Sequence, residues 1–333
     1  MENIIERGEE LLTRLKGCKV LVVGDLMIDE YIWGGVTRVS PEAPVPIVGV
    51  TNETLRLGGA ANVANNIISL GGQVEVCGLL GDDQMGRWIK SDLSAKKVGV
   101  RGIVTSAGRP TTVKTRVIAH DQQVVRVDKE VTTPLERHDE DVILGSVESF
   151  LGECGCVVIS DYAKGVITPT VMRRLVDLAR ERSVPVAVDP KISQFSIYKG
   201  VTVLTPNLFE AAAGAGLVID SMEALVVAGH RIIEKLGCEY LVITRGDQGM
   251  TLFHGMKDYY HVEAHSRHVY DVTGAGDTVI STLSLALASG LTMADGVQLA
   301  NVAAGVVVGE IGTVPISREQ MRHRLRELAK LSS

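Results

Sequence analysis

Short apolar runs alternate with segments of helical spacing along most of the chain. Apolar runs of about four to eight residues between turn residues are typical of buried strands. This pattern predicts strands at 19–24, 73–80, 157–160, 185–188, 201–204 and 240–244. Helical spacing predicts a helix after a Gly-Gly turn within 58–71, and further helices at 84–97, 169–182, 221–236, 276–288, 293–309 and 317–331. Thr168 is the expected N-cap of the helix at 169–182. Strands that alternate with helices predict βαβ crossovers, and therefore an α/β fold whose mainly parallel sheet carries helices on both faces.

Two regions interrupt this alternation. Residues 31–56 combine Gly34 and Gly35 with three prolines around short β-like pieces, and residues 111–128 are rich in Val and Thr without a helical period. We interpret both as antiparallel strands of a small β-sheet appended to the main domain. Because such a sheet has exposed edges, which association can cover, we expect the chain to form a homodimer through it.

Composition narrows the possible partners and location. The chain has 333 residues, a net charge of −6, no basic block and 4% aromatic residues, which argues against nucleic acid as a partner. Signal-peptide features and apolar runs of membrane length are missing from the sequence, so we expect a cytoplasmic protein without a membrane interaction. Five cysteines without a C-x-x-C pair suit a reducing compartment, and Cys154 and Cys156 are interpreted as structural.

The strongest candidate for chemistry is the glycine-rich segment 271–278, DVTGAGDT, which precedes an apolar helix. Glycines at a helix N-terminus let backbone N–H groups approach an anion, and the helix dipole adds positive potential. A carboxylate repels an anion, so Asp277 suits this place if it takes a proton from a hydroxyl that attacks a phosphoryl group. The alternative is an ordinary turn with an Asp cap.

Other candidates follow predicted strands or open predicted helices. Asp29 is placed to accept hydrogen bonds from sugar hydroxyls, or is a solvated loop acid. Asn207 and Glu210 form a capping box, or lie near a hydrated Mg²⁺. The remaining loops, which are also compatible with plain turns, are Gly58-Gly59 with Asn62 and the segment 244–249.

Several common signatures are missing from the sequence. It contains no G-x-x-x-x-G-K-[ST] motif and no G-x-G-x-x-G after the first strand, which argues against a P-loop enzyme and a dinucleotide-binding dehydrogenase. G-x-S-x-G and H-E-x-x-H are missing too, which removes the commonest hydrolase and zinc-protease interpretations.

Taken together, these segments resemble the ribokinase-like (PfkB) family of sugar kinases over roughly residues 15–320. Two motifs carry the resemblance, LGGAANVANNIISLGG at 57–72 and DVTGAGDT at 271–278. The segments 37–48, 111–128, 160–165 and 188–191 are similar to those of bacterial heptose 7-phosphate kinases that serve lipopolysaccharide core assembly. The resemblance implies one kinase domain over 1–333, with the small sheet as a lid inserted in it and no nucleotidyltransferase domain.

The resemblance also implies roles for individual residues. Asp277 matches the catalytic base, and Gly274, Ala275 and Gly276 match the anion hole. Asn207 and Glu210 match the element that organises Mg²⁺. Nucleotide contacts are implied for Thr244, Arg245, Gly246, Gly249, Asn301 and Gly305, and sugar contacts for Asp29, Gly58, Gly59 and Asn62.

The implied reaction transfers the γ-phosphoryl group of ATP to the C1 hydroxyl of D-glycero-β-D-manno-heptose 7-phosphate. The resemblance also implies a requirement for Mg²⁺ and a possible monovalent-cation site near Asp271. The order Val272-Thr273 departs from the usual family pattern and weakens that last expectation. The separate proteins expected in the pathway are an adenylyltransferase and a phosphatase. Because a buried phosphate needs cationic partners, at least two of the candidate cations should reach the substrate: Arg38, Lys114, Arg116, Arg126, Lys164 and Lys191.

Two other activities compete with this one. Another ribokinase-like enzyme would act on ribose, fructose phosphate or a nucleoside; lid cations favour a phosphorylated sugar, and few aromatic residues are present to stack on a base. A non-catalytic nucleotide sensor is the other alternative, and the retained Asp277 argues against it, because a pure binder gains nothing from that acid.

Overall fold

The computed structural model describes residues 4–120, 122–264, 271–310 and 312–332. Its strands in chain order are β1 (Lys19–Gly24), β2 (Leu26–Val39), β3 (Pro46–Gly59), β4 (Gln73–Gly81), β5 (Gly99–Ser106), β6 (Thr112–Ala119), β7 (Gln122–Lys129), β8 (Cys156–Ser160), β9 (Val186–Asp189), β10 (Val203–Leu204), β11 (Tyr240–Thr244), β12 (Met250–His254) and β13 (Asp258–Val262). Its α-helices are α1 (Ile4–Arg14), α2 (Ala60–Ser69), α3 (Gln84–Ala95), α4 (Arg137–Leu151), α5 (Pro169–Glu181), α6 (Leu208–Ala215), α7 (Met222–Leu236), α8 (Ala275–Ala288), α9 (Met293–Val307) and α10 (Arg318–Ser332).

The main sheet has nine strands in the order β13-β12-β11-β10-β9-β8-β1-β4-β5. Neighbours from β11 to β5 pair in parallel, whereas β12 and β13 add an antiparallel hairpin at one edge. Two buried apolar clusters hold alternate residues of its strands; Val20 and Val22 belong to one, and Leu21 and Val23 to the other. This division between two faces is what helices on both sides of a parallel sheet require, and the predicted α/β architecture is confirmed.

The predicted strands and helices all occur, with ends that differ by a few residues. Thr168 caps α5 as expected, because its hydroxyl accepts a hydrogen bond from the N–H of Val171 at 3.1 Å. Sequence reasoning did not select α1, α4, β5 or the β12–β13 hairpin, although Leu11 and Leu12 of α1 and Leu252 and Phe253 of β12 are buried apolar residues.

The lid sheet, defined as β3-β2-β6-β7, is separate from the main sheet. The prediction that its strands are all antiparallel is wrong for one pair, because β2 and β6 run parallel. Strand β2 follows β1 after Asp25 alone, and β6 follows β5 after a short loop. Since β1 and β5 run in the same direction in the main sheet, the strands that continue from them enter the lid in the same direction.

All five cysteines carry free thiols, and Cys77, Cys154, Cys156 and Cys238 are buried. Burial raises the pKa of Cys154 to about 11, so this thiol stays protonated and unreactive at neutral pH. The structural interpretation of Cys154 and Cys156 fits this environment. Among the described residues, we find no helix with the length and apolar character needed to cross a bilayer.

Candidate active site

A cavity of about 980 Å³ opens at the carboxyl ends of the central strands. Asp161 follows β8, Asp189 ends β9, Thr205 follows β10 and Arg245 follows β11, and all four residues line it. Ligands of open α/β sheets bind at this edge, because the loops that leave the strands there can converge on one molecule. The volume is large enough for a nucleotide-sized ligand.

The side of the cavity at the start of α6 is formed by the capping box that the sequence predicts. The Asn207 side chain accepts from the N–H of Glu210 at 2.9 Å, and a Glu210 carboxylate oxygen accepts from the N–H of Asn207 at 3.0 Å. The other oxygen of Glu210 lies 3.7 Å from the Lys191 ammonium. Both residues of the box also line the cavity, so the capping role and a ligand-facing position coexist.

The glycine-rich segment also lines the cavity, through Gly274, Ala275 and Gly276. Gly274 is the N-cap of α8 with φ of 81°, a left-handed conformation that disfavours other residues. Helix α8 therefore begins at Ala275 with its first N–H groups and its positive dipole end at the cavity. This geometry is suited to binding an anion such as a phosphate.

Asp277 lies in the first turn of α8 and is 1% exposed. One carboxylate oxygen accepts a hydrogen bond from Asn62 Nδ2 at 2.7 Å, and the other accepts from the Tyr162 hydroxyl at 2.9 Å. Burial raises the pKa of Asp277 to about 6, against the opposing effect of these two donors. A carboxylate with such a pKa is ionised at neutral pH and is a better proton acceptor than an ordinary aspartate.

On the lid side of Asp277, Asp29 forms a buried ion pair with Arg116. Gly58 leaves room for this carboxylate, because a Cβ at position 58 would lie 2.6 Å from an Asp29 oxygen. Gly58 and Gly59 therefore serve internal packing at the end of β3. Lys114, opposite Asp29 in the lid sheet, is partly buried, and its ammonium lies 4.9 Å from the centre of the Tyr162 ring.

Three of the candidate cations have other surroundings. Arg38 is exposed near the outer end of β2, opposite Ile47. Arg126 is exposed on β7 and pairs with Asp128 at 2.9 Å. Lys164 pairs with Glu130 at 2.7 Å. The structure thus brings Lys114 and Arg116 next to Asp29, and Lys191 into the cavity wall.

The residues predicted to contact the nucleotide all line the cavity: Thr244, Arg245, Gly246, Gly249, Asn301 and Gly305. The Arg245 guanidinium lies 3.1 Å from a ring nitrogen of His261, which ties the loop after β11 to β13. Asn301 donates to the carbonyl of Glu263 at 2.6 Å. The structure therefore brings the late helix α9 and the β11 loop to the same cavity.

Sequence reasoning did not select Asp161, Tyr162 or Asp189 as site residues, although all three line the cavity. Burial raises the pKa of Asp189 well above its usual value, and the nearby carboxylates of Asp277 and Glu210 add to this effect. A signal was available, because each residue lies at the end of a predicted strand, where sites concentrate.

The possible monovalent-cation site beside Asp271 has its carboxylate already engaged. One oxygen accepts from the Thr273 hydroxyl at 2.6 Å and the Thr273 N–H at 2.9 Å, and the other accepts from the N–H of Gly312 at 2.9 Å. Partial burial acts to raise the pKa of Asp271, but these hydrogen bonds outweigh it and hold the pKa below its usual range.

A helix start whose geometry suits an anion, a nucleotide-sized cavity and a buried carboxylate next to a small second sheet are the features expected of a carbohydrate kinase of ribokinase-like fold. The chain belongs to the pfkB family of carbohydrate kinases, whose sequence pattern matches residues 18–320.

Among the curated relatives, the bifunctional protein HldE of Geobacter sulfurreducens is 45% identical over 309 residues, which are 93% of this chain and 63% of that protein. The bifunctional protein HldE of Syntrophotalea carbinolica is 40% identical over 317 residues, 95% of this chain and 65% of that protein. The chain therefore spans less than two thirds of the length of these relatives.

Solved structures share the fold at low identity. Arabidopsis thaliana ribokinase, complexed with ribose and ATP, superposes with a TM-score of 0.75 at 19% sequence identity. The superposition covers 93% of this chain and 99% of the ribokinase chain. Escherichia coli phosphofructokinase-2, in complex with substrates and products, gives a TM-score of 0.77 at 17% identity, with 94% of this chain and 99% of its own covered.

Proposed function

We propose that this chain transfers the γ-phosphoryl group of ATP to the C1 hydroxyl of D-glycero-β-D-manno-heptose 7-phosphate and forms the 1,7-bisphosphate. The observation that carries the proposal is the setting of Asp277. It follows Gly276, which lines the nucleotide-sized cavity, it accepts a hydrogen bond from the cavity residue Tyr162, and the charges of Asp29 and Lys114 in the lid sheet act on it. The HldE relatives, at 40–45% identity, support a heptose substrate over other sugars.

In this mechanism, Asp277 accepts the proton of the attacking hydroxyl as the new bond to phosphorus forms. The carboxylate keeps lone pairs for this purpose, because its two oxygens offer about four acceptor sites and Asn62 and Tyr162 use two of them. The N–H groups at the start of α8 stabilise the charge that develops on the phosphoryl oxygens. The lid covers the sugar and limits competing hydrolysis of ATP by water.

The donor chemistry around the cavity fits a Mg²⁺ ion held through water. Asp189 lies near Gly276, where a Cβ would be 3.9 Å from its carboxylate, and the Glu210 carboxylate faces the same cavity. Oxygen donors of this kind suit Mg²⁺, which retains several waters. When bound, the ion would offset the charge of the ATP phosphates. Asn207 would act indirectly, by orienting Glu210 through the capping box.

The proposal is tested with an ATP-coupled assay over a panel of sugars and sugar phosphates, with phosphorus NMR to locate the new phosphate. We expect the highest kcat/KM for D-glycero-β-D-manno-heptose 7-phosphate and a product signal for an anomeric phosphate. Preference for ribose, fructose 6-phosphate or a nucleoside would instead favour another ribokinase-like activity.

Activity should fall in acid, because Asp277 must be ionised to accept a proton. Burial raises its pKa to about 6, so kcat/KM should level off above about pH 7 and decrease roughly tenfold for each pH unit well below pH 6. A pH–rate profile, measured with coupling enzymes in excess at every pH, checks this. A rate that stays constant down to pH 4.5 would contradict the assignment of Asp277 as the base.

Lys114 and Arg116 are the cations that we propose for the sugar phosphate, with Lys191 on the nucleotide side. Burial lowers the pKa of Lys114, so an anionic partner would stabilise its charged form. Replacing Lys114 by Met should raise the KM for the phosphorylated sugar about tenfold or more, with little change in the KM for ATP. The exposed Arg38→Met variant is the control. Equal effects on both substrates would contradict this placement.

We also propose a homodimer through the lid sheet. Every residue of its edge strand β7 is exposed, and the apolar side chains of Val125 and Val127 are 47% and 55% exposed. An unpaired apolar edge of this kind favours association. Light scattering should give twice the chain mass, and Val127→Asp should shift the protein toward the monomer. A monomeric wild type at micromolar concentration would refute the proposal.

In a cytoplasmic pathway toward ADP-heptose, the bisphosphate product would next lose its C7 phosphate and then receive an adenylyl group. We therefore place this kinase ahead of a phosphatase and an adenylyltransferase. An assay that supplies both activities and follows ADP-heptose formation tests this order.

A further inference from the structure

Tyr162 contacts the proposed base directly, and the mechanism above gives it no part beyond this one hydrogen bond. It lies in the loop 161–166 that follows β8, and its hydroxyl is 2.9 Å from one Asp277 oxygen. The other oxygen is held by Asn62. Burial raises the pKa of Tyr162 well above its usual value, with a further contribution from Asp277, so the phenol stays protonated and serves as a donor to the carboxylate.

The loop that carries Tyr162 is fixed by a buried carboxylate. Asp25, 1% exposed, accepts hydrogen bonds from the N–H groups of Tyr162, Lys164 and Val166 at 2.8, 3.0 and 3.1 Å. In an ordinary surface loop, these three backbone N–H groups would donate to water. Here they donate to a buried carboxylate instead. The position of the Tyr162 backbone is therefore determined by the end of the neighbouring strand β1.

The same loop is held from two more directions. The Arg109 guanidinium donates to the carbonyl of Lys164 at 2.7 Å. The Asp161 side chain accepts from the N–H of Ala163 at 2.7 Å and from the Tyr198 hydroxyl at 2.5 Å. Rigid support of this kind is what a group needs if it must hold another side chain within a narrow range of orientations.

Charged groups approach Asp277 from several elements. Asp29 of β2 and Asp189 of β9 oppose its ionisation, whereas Lys114 of β6 favours it. The ammonium groups of Lys114 and Lys191 lie 4.9 and 5.8 Å from the centre of the Tyr162 ring. Tyr162 and Asn62 are the neutral donors to the carboxylate, and a donor to the charged form favours ionisation.

We propose that Tyr162 is a positioning residue for Asp277: its hydroxyl orients the carboxylate toward the sugar hydroxyl and keeps it ionised near neutral pH. This inference rests on the proposed role of Asp277 as the base. Tyr162 acts through Asp277 and takes no proton itself.

The test replaces Tyr162 by Phe, which removes the hydroxyl and keeps the ring beside the two lysines. Without this donor, the acid limb of the kcat/KM profile should move upward by about one pH unit, since a hydrogen bond to the charged form favours ionisation. The rate should then fall about tenfold on the acid side of the limb, and raising the pH should recover part of the loss. An unmoved limb, with or without a uniform loss of rate, would overturn the proposal.

Tyr198→Phe is the matched control, because it removes a hydroxyl that supports the same loop through Asp161 without touching Asp277. It should leave the acid limb in place. An equal displacement in both variants would mean that the effect comes from loosening of the loop.

A second readout does not depend on the sugar. Carbon-13 NMR of protein labelled at the aspartate carboxyl carbon, with Asp277→Asn to assign the resonance, reports the ionisation of Asp277 directly. Its titration midpoint should be higher in Tyr162→Phe than in the wild type, and equal midpoints would refute the inference. A wild type that titrates as expected but does not phosphorylate the heptose would count against the proposed function alone.

Discussion

Replacing Asp277 by Asn should lower kcat by at least about 10²–10⁴-fold, while the fold and ATP binding are retained. The amide has nearly the same shape; its oxygen can still accept from Asn62, and its NH2 group can donate to the Tyr162 hydroxyl. It cannot take the proton of the attacking hydroxyl, so the loss should appear in kcat. Steady-state kinetics, ATP titration and thermal unfolding of both proteins measure the three quantities.

Asp161→Asn is the matched control for this prediction. Asp161 is a buried carboxylate at the same cavity, and burial also raises its pKa to about 6. Its hydrogen bonds go to Ala163 and Tyr198 of the surrounding protein. We expect at least tenfold less damage than in Asp277→Asn. Near-normal turnover in Asp277→Asn would remove the basis of the proposed mechanism.

Replacing Gly276 by Ala should reduce kcat/KM by about 10²-fold without destabilising the protein. A Cβ at this position would lie 3.9 Å from an Asp189 oxygen. Apart from the chain neighbours and the helix's own backbone, no other atom of the described residues would lie within 4 Å of it. The fold therefore has room for the methyl group. The same space lies at the start of α8, where the proposed mechanism requires a phosphoryl oxygen to approach the N–H groups. Loss of one such contact costs about 10²–10³-fold.

Gly145→Ala provides the comparison. Gly145 is an exposed glycine inside α4, and no atom of another described residue, apart from its chain neighbours and its own helix backbone, lies within 4 Å of its Cβ position. It should keep full activity and gain a few tenths of a kcal/mol in unfolding free energy. Kinetics and thermal denaturation of the two variants separate a steric effect on the ligand from a general effect of alanine. Full activity in Gly276→Ala would mean that no phosphoryl group binds at this helix start.

Local sequence patterns were sufficient to predict the α/β class and the helix that begins in the glycine-rich segment 271–278. Apolar runs mark strands such as Lys19–Gly24 because a strand buried on both faces needs apolar side chains throughout. The helix start at Gly274 was also visible, since a glycine at a left-handed position and the apolar helix after it are adjacent in the chain. The capping box of Asn207 and Glu210 is equally local.

Which cations approach the buried acids was not visible in the sequence. Lys114 and Arg116 both lie on β6. Only the parallel pairing of β6 with β2 places them opposite Asp29 and Tyr31. The antiparallel pairing that we expected would have given a different register. In the sequence, Arg38 and Arg126 were candidates of the same standing as Lys114 and Arg116. In the structure, both side chains are exposed on the lid sheet.

The sequence by itself determined the alternation of most strands and helices and the helix start at the glycine-rich segment with Asp277 in its first turn, because each depends on residues that are close along the chain. The tertiary structure alone decided that Asn62 and Tyr162, 215 and 115 positions away, would donate to Asp277. Burial by those distant elements is also what raises the pKa of Asp277 to about 6. Desolvation and hydrogen bonding depend on neighbours in space, and a linear sequence does not contain them.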